Sequence, residues 1–132
     1  MRALIVALVL SACGGHPHPT PPPPFDAAGL AAELDRVMSD LAAATARLEG
    51  DCPRMLDEIE RILVGAKDPI DRARAAEADP ERAKQLTTAM RSYDDRARGR
   101  SDAIAIGLAV CFRQHRELQD RVQRVVDSMP SL

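Results

Sequence analysis

Apolar residues recur at alternating steps of four and three after position 25, and this spacing is the strongest constraint on the fold. From Asp26 to Glu49 the stripe consists of Leu30, Leu34, Val37, Leu41, Ala44 and Leu48. Such steps place side chains on one face of an α-helix, whereas a half-buried strand would need strict alternation. The chain is therefore predicted to be all-α.

Composition supports the helical prediction and argues against one class of partner. Apolar residues make up 45% of the chain but aromatic residues only 2%, so a core must be built from aliphatic side chains and alanine. That mixture favours closely packed helices. The chain has no Trp and a net charge of -2, so it lacks both stacking platforms and basic charge. Nucleic acid is not expected as a partner.

Cap and stop residues mark the first two helices. Gly50 is a suitable stop for the first helix, because glycine adopts the left-handed conformation in which many helices end. Asp51 and Pro53 then favour the start of a second helix, which is expected to end near Lys67. The predicted core face of this helix consists of Met55, Leu56, Ile59, Ile62, Leu63 and Ala66.

The rest of the chain is predicted to form one or two further helices. Between residues 68 and 99 a thin stripe is interrupted at Pro80, so a long third helix is kinked there or a new helix begins at Asp79. The last helix is predicted to run from Ser101 or Asp102 to Met129. Short links imply antiparallel neighbours, so residues 25–132 are expected to form an antiparallel up-down bundle of three to four helices.

The first twelve residues have the organisation of a signal peptide. Arg2 is followed by the apolar run ALIVALVL and by the small residues Ser11 and Ala12. A helix of this length is too short to span about 30 Å of hydrocarbon, but it suits the apolar region of a secretory signal. Residues 1–12 are therefore predicted to direct export and to be removed.

Residues 10–13, LSAC, resemble the lipobox of bacterial lipoproteins, in which a branched apolar residue and two small residues precede an invariant cysteine. The resemblance implies cleavage before Cys13, a diacylglycerol on its thiol and an acyl chain such as palmitate on the new amine. Several acyl chains together give stable membrane anchoring. Gly14, rather than aspartate, follows the cysteine. The resemblance thus implies an outer membrane anchor facing the periplasm in a two-membrane bacterium, and the cell surface otherwise.

Residues 13–24 form the predicted linker between the lipid and the folded domain. Six prolines in this segment favour an extended polyproline II conformation of about 3.1 Å per residue. His16 and His18 are weak candidates for a metal site, because the segment supplies no Asp or Glu to complete a ligand set. They are interpreted as spacer residues.

The lipoprotein resemblance decides how the other two cysteines are interpreted. With Cys13 lipidated, Cys52 and Cys111 remain as a pair in an oxidising compartment, where a disulfide is expected. A disulfide requires its two Cα atoms to lie within about 7 Å of each other, which favours a long or stacked third helix. The alternative is two reduced, separately buried thiols.

His115 is the one histidine of residues 25–132, and it falls on the core stripe of the predicted last helix. A buried imidazole could ligate a metal ion or, with Met38 or Met90, haem. The chain has no CxxCH motif and few aromatic residues to flank a porphyrin. A hydrogen-bonded or partly exposed core histidine is therefore the preferred interpretation, and no cofactor is predicted.

A basic segment, RSYDDRARGR, precedes the predicted last helix. Its candidate interaction residues are Arg91, Tyr93, Arg96, Arg98 and Arg100. Arg and Tyr are enriched in interface hot spots, so this segment could dock a partner or an acidic ligand. A solvated turn with local ion pairs is the alternative interpretation, and the sequence favours it.

Motifs of catalysis are missing from the sequence, which contains no HExxH, no glycine-rich phosphate loop and no defensible Ser-His-Asp set. The sequence predicts a non-enzymatic, lipid-anchored protein of the cell envelope that acts by protein-protein contact, with homo-oligomerisation left open. One alternative is a binder of a small ligand, metal or haem in the bundle core near His115. Another is an envelope stress or chaperone-like helical protein, which would need an exposed apolar groove.

Overall fold

A computed structural model describes residues 19–130, and all regular secondary structure in this range is helical. The all-α prediction is confirmed. Two single 3-10 turns lie at Arg91–Tyr93 and Arg116–Leu118. The α-helices are α1 (Ala27–Arg47), α2 (Cys52–Gly65), α3 (Lys67–Glu77), α4 (Pro80–Met90), α5 (Asp94–Gln114) and α6 (Gln119–Ser128). The predicted three to four helices are thus too few for the described range.

Local capping fixes the starts of α1 and α2, much as the sequence indicates. The Asp26 carboxylate accepts a hydrogen bond from the Gly29 amide at 2.8 Å, and Asp51 accepts one from Arg54 at 3.3 Å. These side chains satisfy amides that have no partner within the helix. Gly50 has a φ of 86°, the left-handed conformation that separates α1 from α2.

The chain breaks at Asp79, so of the two alternatives for residues 68–99 the structure has the new helix and not one long third helix kinked at Pro80. Asp79 is extended, with φ -113° and ψ 114°, and its carboxylate accepts hydrogen bonds from the amides of Glu81 and Arg82. A residue before proline is disfavoured in the helical conformation, which explains the break. A new helix, α4, begins at Pro80 and packs against α3.

The sequence predicts that the third helix is the long one, but the nearly continuous helical element is α4 together with α5, one helix later in the chain. From Met90 through the 3-10 turn to Asp94 the cap residues keep right-handed helical angles, so α4 passes into α5 without an extended residue. Gly99 and Ser101 therefore lie inside α5 and do not mark a turn. The break that sequence analysis did not foresee is at His115, where φ -125° and ψ 87° end α5.

Helix α1 is the centre of the packing, since α2, α3, α4 and α5 all contact it. Helix α5 approaches α1 closely at Gly107, where an added Cβ would lie 2.4 Å from Cγ2 of Thr45. Thr45 itself is buried, and its hydroxyl donates to the Leu41 carbonyl at 2.9 Å. A glycine is therefore required for this helix crossing.

Buried apolar residues form two clusters, which we call the main core and the small core. The main core joins α1, α2, α5 and α6 with the first turn of α3, and the small core joins α1, α3 and α4. The members of the main core are Val37, Met38, Leu41, Cys52, Met55, Leu56, Ile59, Leu63, Ala66, Ile70, Ile104, Leu108, Cys111, Val122 and Val125. The members of the small core are Leu30, Ala31, Leu34, Ala73, Ala76 and Leu86.

The end of the Pro-rich segment meets the folded domain at the small core. Residues 19–24 are exposed and form neither helix nor strand. Phe25 packs against the small core, and the Arg82 guanidinium lies 5.7 Å from the centre of its ring. This cation-π contact ties the start of the folded domain to α4.

Candidate functional site

Several predicted functional residues lie outside the described range. Cys13, His16, His18 and the signal peptide of residues 1–12 all precede Pro19. Among the helices described, none combines the length and the apolar character that crossing a bilayer requires. Lipidation at Cys13 therefore stays a prediction from the sequence.

Cys52 and Cys111 meet in the main core. Cys52 is the first residue of α2 and Cys111 lies in the last turn of α5, and their sulfur atoms are bonded, with the Cα atoms 5.5 Å apart. Both residues are almost fully buried. Redox-active cysteines are usually accessible, so this arrangement is that of a structural crosslink between α2 and α5.

The basic segment does not form a single binding surface. Arg100 donates to the Asp35 carboxylate at 2.5 Å and to the Asp35 carbonyl at 3.2 Å, and both side chains are mostly buried. Arg96 lies 5.4 Å from the centre of the Tyr93 ring and 3.8 Å from the other Asp35 oxygen. The contacts with Asp35 join α5 to α1, and the Tyr93 contact joins α5 to the 3-10 turn before it, so Arg96, Arg100 and Tyr93 have a structural role.

The other two arginines of the segment, Arg91 and Arg98, are exposed. Neither makes an ion pair with any residue between 19 and 130. They do not join Arg96 and Arg100 in contacting Asp35, because Arg91 lies in the 3-10 turn before α5 and Arg98 lies two residues from both Arg96 and Arg100, on another side of α5. The predicted interaction residues therefore do not act together. Arg96 and Arg100 contact Asp35, an arrangement that we call the clamp, whereas Arg91 and Arg98 are solvated.

His115 does not occupy a core position, and the prediction of a single helix through residue 129 is wrong. The residue follows the end of α5, its side chain is about one-third exposed, and Nδ1 lies 3.1 Å from a Glu117 carboxylate oxygen. In the described part of the chain, no group of three His, Cys, Asp or Glu residues could hold a metal ion. Met90 packs against the small core and Met38 lies in the main core. The haem candidates are thus divided between two clusters.

Carboxylates with perturbed acidity serve in ion pairs. A hydrogen bond from Arg61 lowers the pKa of Glu58 to about 2, and a hydrogen bond from Arg121 lowers the pKa of Glu60. The backbone amide of Glu117 and then the His115 ring lower the pKa of Glu117. These three groups stay ionised at neutral pH, so each is a hydrogen-bond acceptor and not a proton donor.

The one extended apolar feature on the surface of residues 19–130 is on α5 and the neighbouring part of α6. The side chains of Ile106, Phe112 and Val126 are 65%, 40% and 46% exposed, and Ala105 and Ala109 between them are also exposed. We call these five residues the α5 face. At 100° per residue, Ile106 lies opposite Ile104, Leu108 and Cys111, which enter the main core, whereas Phe112 lies on the flank of α5 beside Leu108 and faces α6.

Two hollows flank the α5 face. One, of about 230 Å³, lies between α1 and α5 and is lined by Ile106, Gly107 and Val110 together with the Cys52–Cys111 disulfide. The other, of about 370 Å³, lies between α5 and α6 and is lined by Phe112 and Val126. A ridge with a depression on each side is a shape that can receive another helix.

Charged residues close both ends of the apolar part of α5. Asp102 precedes the run of uncharged residues 103–112, and Arg113 follows it. Both side chains are exposed, and neither takes part in an ion pair with another residue of the described range. The surface is therefore an apolar strip with a negative charge at one end and a positive charge at the other.

Sequence reasoning missed the α5 face, although a signal for it exists. The segment AIAIGLAVCF contains ten residues without a charge, so the helix is apolar on every side. A helix of this type must be buried or must pack against something further. A search for a single stripe finds only the side that enters the core.

No protein-family model matches the chain, no curated protein matches its sequence, and no solved structure matches its fold.

Proposed function

We propose that this chain is a non-enzymatic lipoprotein of the bacterial cell envelope. Its helices form an antiparallel bundle, and this bundle binds another protein through the α5 face. The observation that carries the proposal is the exposure of Ile106, on the side of α5 opposite the main core, together with that of Phe112 on the flank of α5 that faces α6. Contiguous exposed apolar side chains are rare on proteins that do not use them for interaction. The α5 face therefore supports contact with a protein.

Three segments give the chain the organisation of a tethered domain. Residues 1–12 direct export, residues 13–24 are the lipidated Cys13 and a Pro-rich linker, and residues 25–132 are the helical domain. The exposed, non-helical conformation of residues 19–24 supports the spacer role. The absence of Asp after Cys13 supports an outer membrane anchor facing the periplasm, or a cell surface position in a bacterium with one membrane.

The disulfide supports the assignment to an oxidising compartment. Cytosolic thiols are normally kept reduced, whereas exported domains of about this size commonly carry structural disulfides. Cys52 and Cys111 lie at a Cα distance that suits such a bond without movement of the backbone. Export, which the first thirteen residues predict, and crosslinking of the folded domain are thus consistent with each other.

Lipid attachment is tested by labelling cells that express the chain with labelled palmitate. We expect label on the wild-type protein and none on Cys13→Ala, because alanine has no thiol to accept a diacylglycerol. Ser11→Ala is the matched control, since it keeps a small residue in the lipobox and should retain the label. Undiminished labelling of Cys13→Ala would contradict the anchor.

Protein contact is tested by placing a photo-crosslinking amino acid at Ile106 in cells. Val64 is the matched control position, because it is 77% exposed but lies on α2 and is not part of the α5 face. We expect discrete protein adducts from position 106 and none from position 64. Adducts to lipid alone, or equal adducts from both positions, would contradict a protein-binding role for the α5 face.

A chaperone-like role is a second candidate that the hollows beside the α5 face favour. An exposed apolar ridge between two hollows could hold an unfolded apolar segment. In that case the purified full chain should suppress aggregation of a reduced, unfolded client protein, and Ile106→Ser should lose this effect. Val64→Ser should keep it.

A small-ligand, metal or haem binder near His115 is the remaining alternative. Its basis was a buried position for His115, and the side chain is instead about one-third exposed beside Glu117. An absorption spectrum and a metal analysis of the purified full chain test it. A Soret band or a stoichiometric metal ion would favour this alternative over protein contact.

A further inference from the structure

We propose that the protein bound at the α5 face is a second copy of this chain, paired through α5 in antiparallel orientation about a two-fold axis. The proposal rests on the proposed function, because it uses Ile106 and Ala109 of the same face and names what covers them. Its basis is the order of exposed residues along α5. When a second copy of α5 runs in the opposite direction, its charges and side-chain sizes complement those of the first copy.

Four exposed residues form a second heptad stripe on α5. Asp102, Ile106, Ala109 and Arg113 follow one another at steps of four, three and four. This is the spacing that lets two helices pack along a shared seam. The first stripe, through Ile104, Leu108 and Cys111, is used by the main core. All four residues of the second stripe are exposed, and none belongs to the main core or the small core.

The charges at the two ends of the stripe are complementary only when two copies of α5 pair in antiparallel orientation. In an antiparallel pair centred between Gly107 and Leu108, each residue i lies opposite residue 215-i of the other copy. Asp102 then lies opposite Arg113, and Arg113 lies opposite Asp102, so that two ion pairs of opposite charge close the interface. A parallel pair would instead place Asp102 against Asp102 and Arg113 against Arg113. Like charges at a helix seam are unfavourable, so antiparallel pairing is selected.

Side-chain size agrees with the same register. The centre of the interface pairs Ile106 of each copy with Ala109 of the other, so a large residue meets a small one at two equivalent positions. Such alternation lets helices approach closely and fill the space between them. The hollow between α1 and α5, on the Ile106 side of the stripe, leaves room for a neighbouring side chain.

The test uses charge exchange in the full chain, purified from membranes in mild detergent and examined by sedimentation at several protein concentrations. We expect a concentration-dependent dimer for the wild type. Asp102→Arg alone and Arg113→Asp alone should each weaken the dimer by about tenfold, because each variant faces two like charges across the interface. Both positions are exposed, and thermal unfolding of each variant would verify that it is folded.

The decisive sample is a mixture of the two single variants. In the antiparallel register, the arginine introduced at position 102 of one copy meets the aspartate introduced at position 113 of the other. The unchanged Arg113 of the first copy then meets the unchanged Asp102 of the second. The mixture should therefore recover a heterodimer within about threefold of the wild-type affinity, and the double variant on one chain should recover a homodimer. A mixture that dimerises no better than the single variants would overturn the proposed register.

Sedimentation and crosslinking together distinguish failure of the dimer proposal from failure of the proposed function. If the full chain sediments as a monomer at every concentration while Ile106 crosslinks to a different protein in cells, the second copy is the wrong occupant and protein contact stands. If Ile106 crosslinks to no protein at all, both proposals fail. If Ile106→Ser abolishes the dimer while Val64→Ser leaves it intact, the α5 face is the interface.

Discussion

The main core and the small core stabilise the two ends of this protein by different means. Large aliphatic side chains fill most of the main core, which also contains the disulfide. In the small core, three of the six buried residues are alanines, Ala31, Ala73 and Ala76. Because apolar burial stabilises in proportion to buried area, the small core gains much less from each residue.

Polar contacts around the small core compensate in part for its small side chains. Asp35, which follows the buried Leu34, accepts hydrogen bonds from Arg100. Arg72 of α3 pairs with Glu33 of α1. Arg82 of α4 lies over the Phe25 ring. The contacts of Arg72 and Arg82 lie on exposed side chains and each contribute little, so the end near the linker is expected to open locally before the end with the disulfide.

The largest effect on this comparison is expected from removal of the disulfide. The bond closes a loop between residues 59 positions apart, which corresponds to about 4 kcal/mol in the chain-entropy treatment. We expect reduction, or Cys52→Ala with Cys111→Ala, to lower the free energy of unfolding by about that amount, measured by urea denaturation. Mass spectrometry with and without reductant establishes the oxidation state of the starting material.

Hydrogen exchange on the same samples shows which end is affected. The amides of α2 and α5 should exchange much faster after the bond is lost, because the main core then depends on packing alone. The amides of α3 and α4 should change little, since they already exchange by local opening. Slower exchange in α3 than in α2 of the oxidised protein would contradict the comparison.

Truncation of one leucine in each core compares the two directly. Leu56 is fully buried among the large residues of the main core, whereas Leu86 is slightly exposed beside the alanines of the small core. We expect Leu56→Ala to cost about 3 kcal/mol and Leu86→Ala about 2 kcal/mol, because the cavity left in a tightly packed site collapses less. Urea denaturation measures both, and a larger loss for Leu86→Ala would reverse the interpretation.

The features of the fold that could be predicted from the sequence depend only on residues that are close to them in the chain. The caps at Asp51 and Asp79 act within three residues of themselves, and the stop at Gly50 needs only its own positive φ. The buried stripe of α2, including Leu56 and Ile59, follows from helical periodicity. These features require no knowledge of the other helices.

The parts that could not be predicted depend on contacts between distant residues. Gly99 lies inside α5, where it costs about 1 kcal/mol relative to alanine. Arg100 offsets this cost by binding Asp35 of α1, 65 residues earlier in the chain. The break at His115 has no proline or glycine beside it. Helix α6 is instead held to α2 by Arg121, whose partners are 61 and 64 residues away.

A smaller effect is expected when the clamp near the small core is removed. Asp35 accepts two close contacts from Arg100 and one longer contact from Arg96, so Asp35→Asn would leave Arg100 without an ionised partner in a mostly buried position. We expect a loss of about 1 kcal/mol in the free energy of unfolding, measured by urea denaturation. Arg98→Ala is the matched control on the same helix and should have almost no effect. Equal losses would mean that the clamp does not stabilise α5 against α1.

The smallest expected effect concerns the ion pairs at the edge of the main core. Arg121 of α6 donates to Glu60 of α2 at 2.7 and 2.8 Å and also contacts Asp57. This hydrogen bonding lowers the pKa of Glu60 in the folded protein relative to its ordinary value of 4.5. Among exposed groups, contacts of this type contribute about 0.5 kcal/mol each.

Because the folded pKa of Glu60 is the lower one, its contribution to stability is present above about pH 4.5 and is lost as the pH falls through the folded value. Arg121→Gln should therefore lower the urea midpoint at pH 7 and have a smaller effect at pH 3, where the carboxylates take up protons. Arg61→Gln, which removes the hydrogen bond that lowers the pKa of Glu58 within α2, is the control. It should shift the acid dependence without loosening α6 in hydrogen exchange. A difference between wild type and Arg121→Gln that is constant with pH would mean that Arg121 acts through the packing of its aliphatic stem.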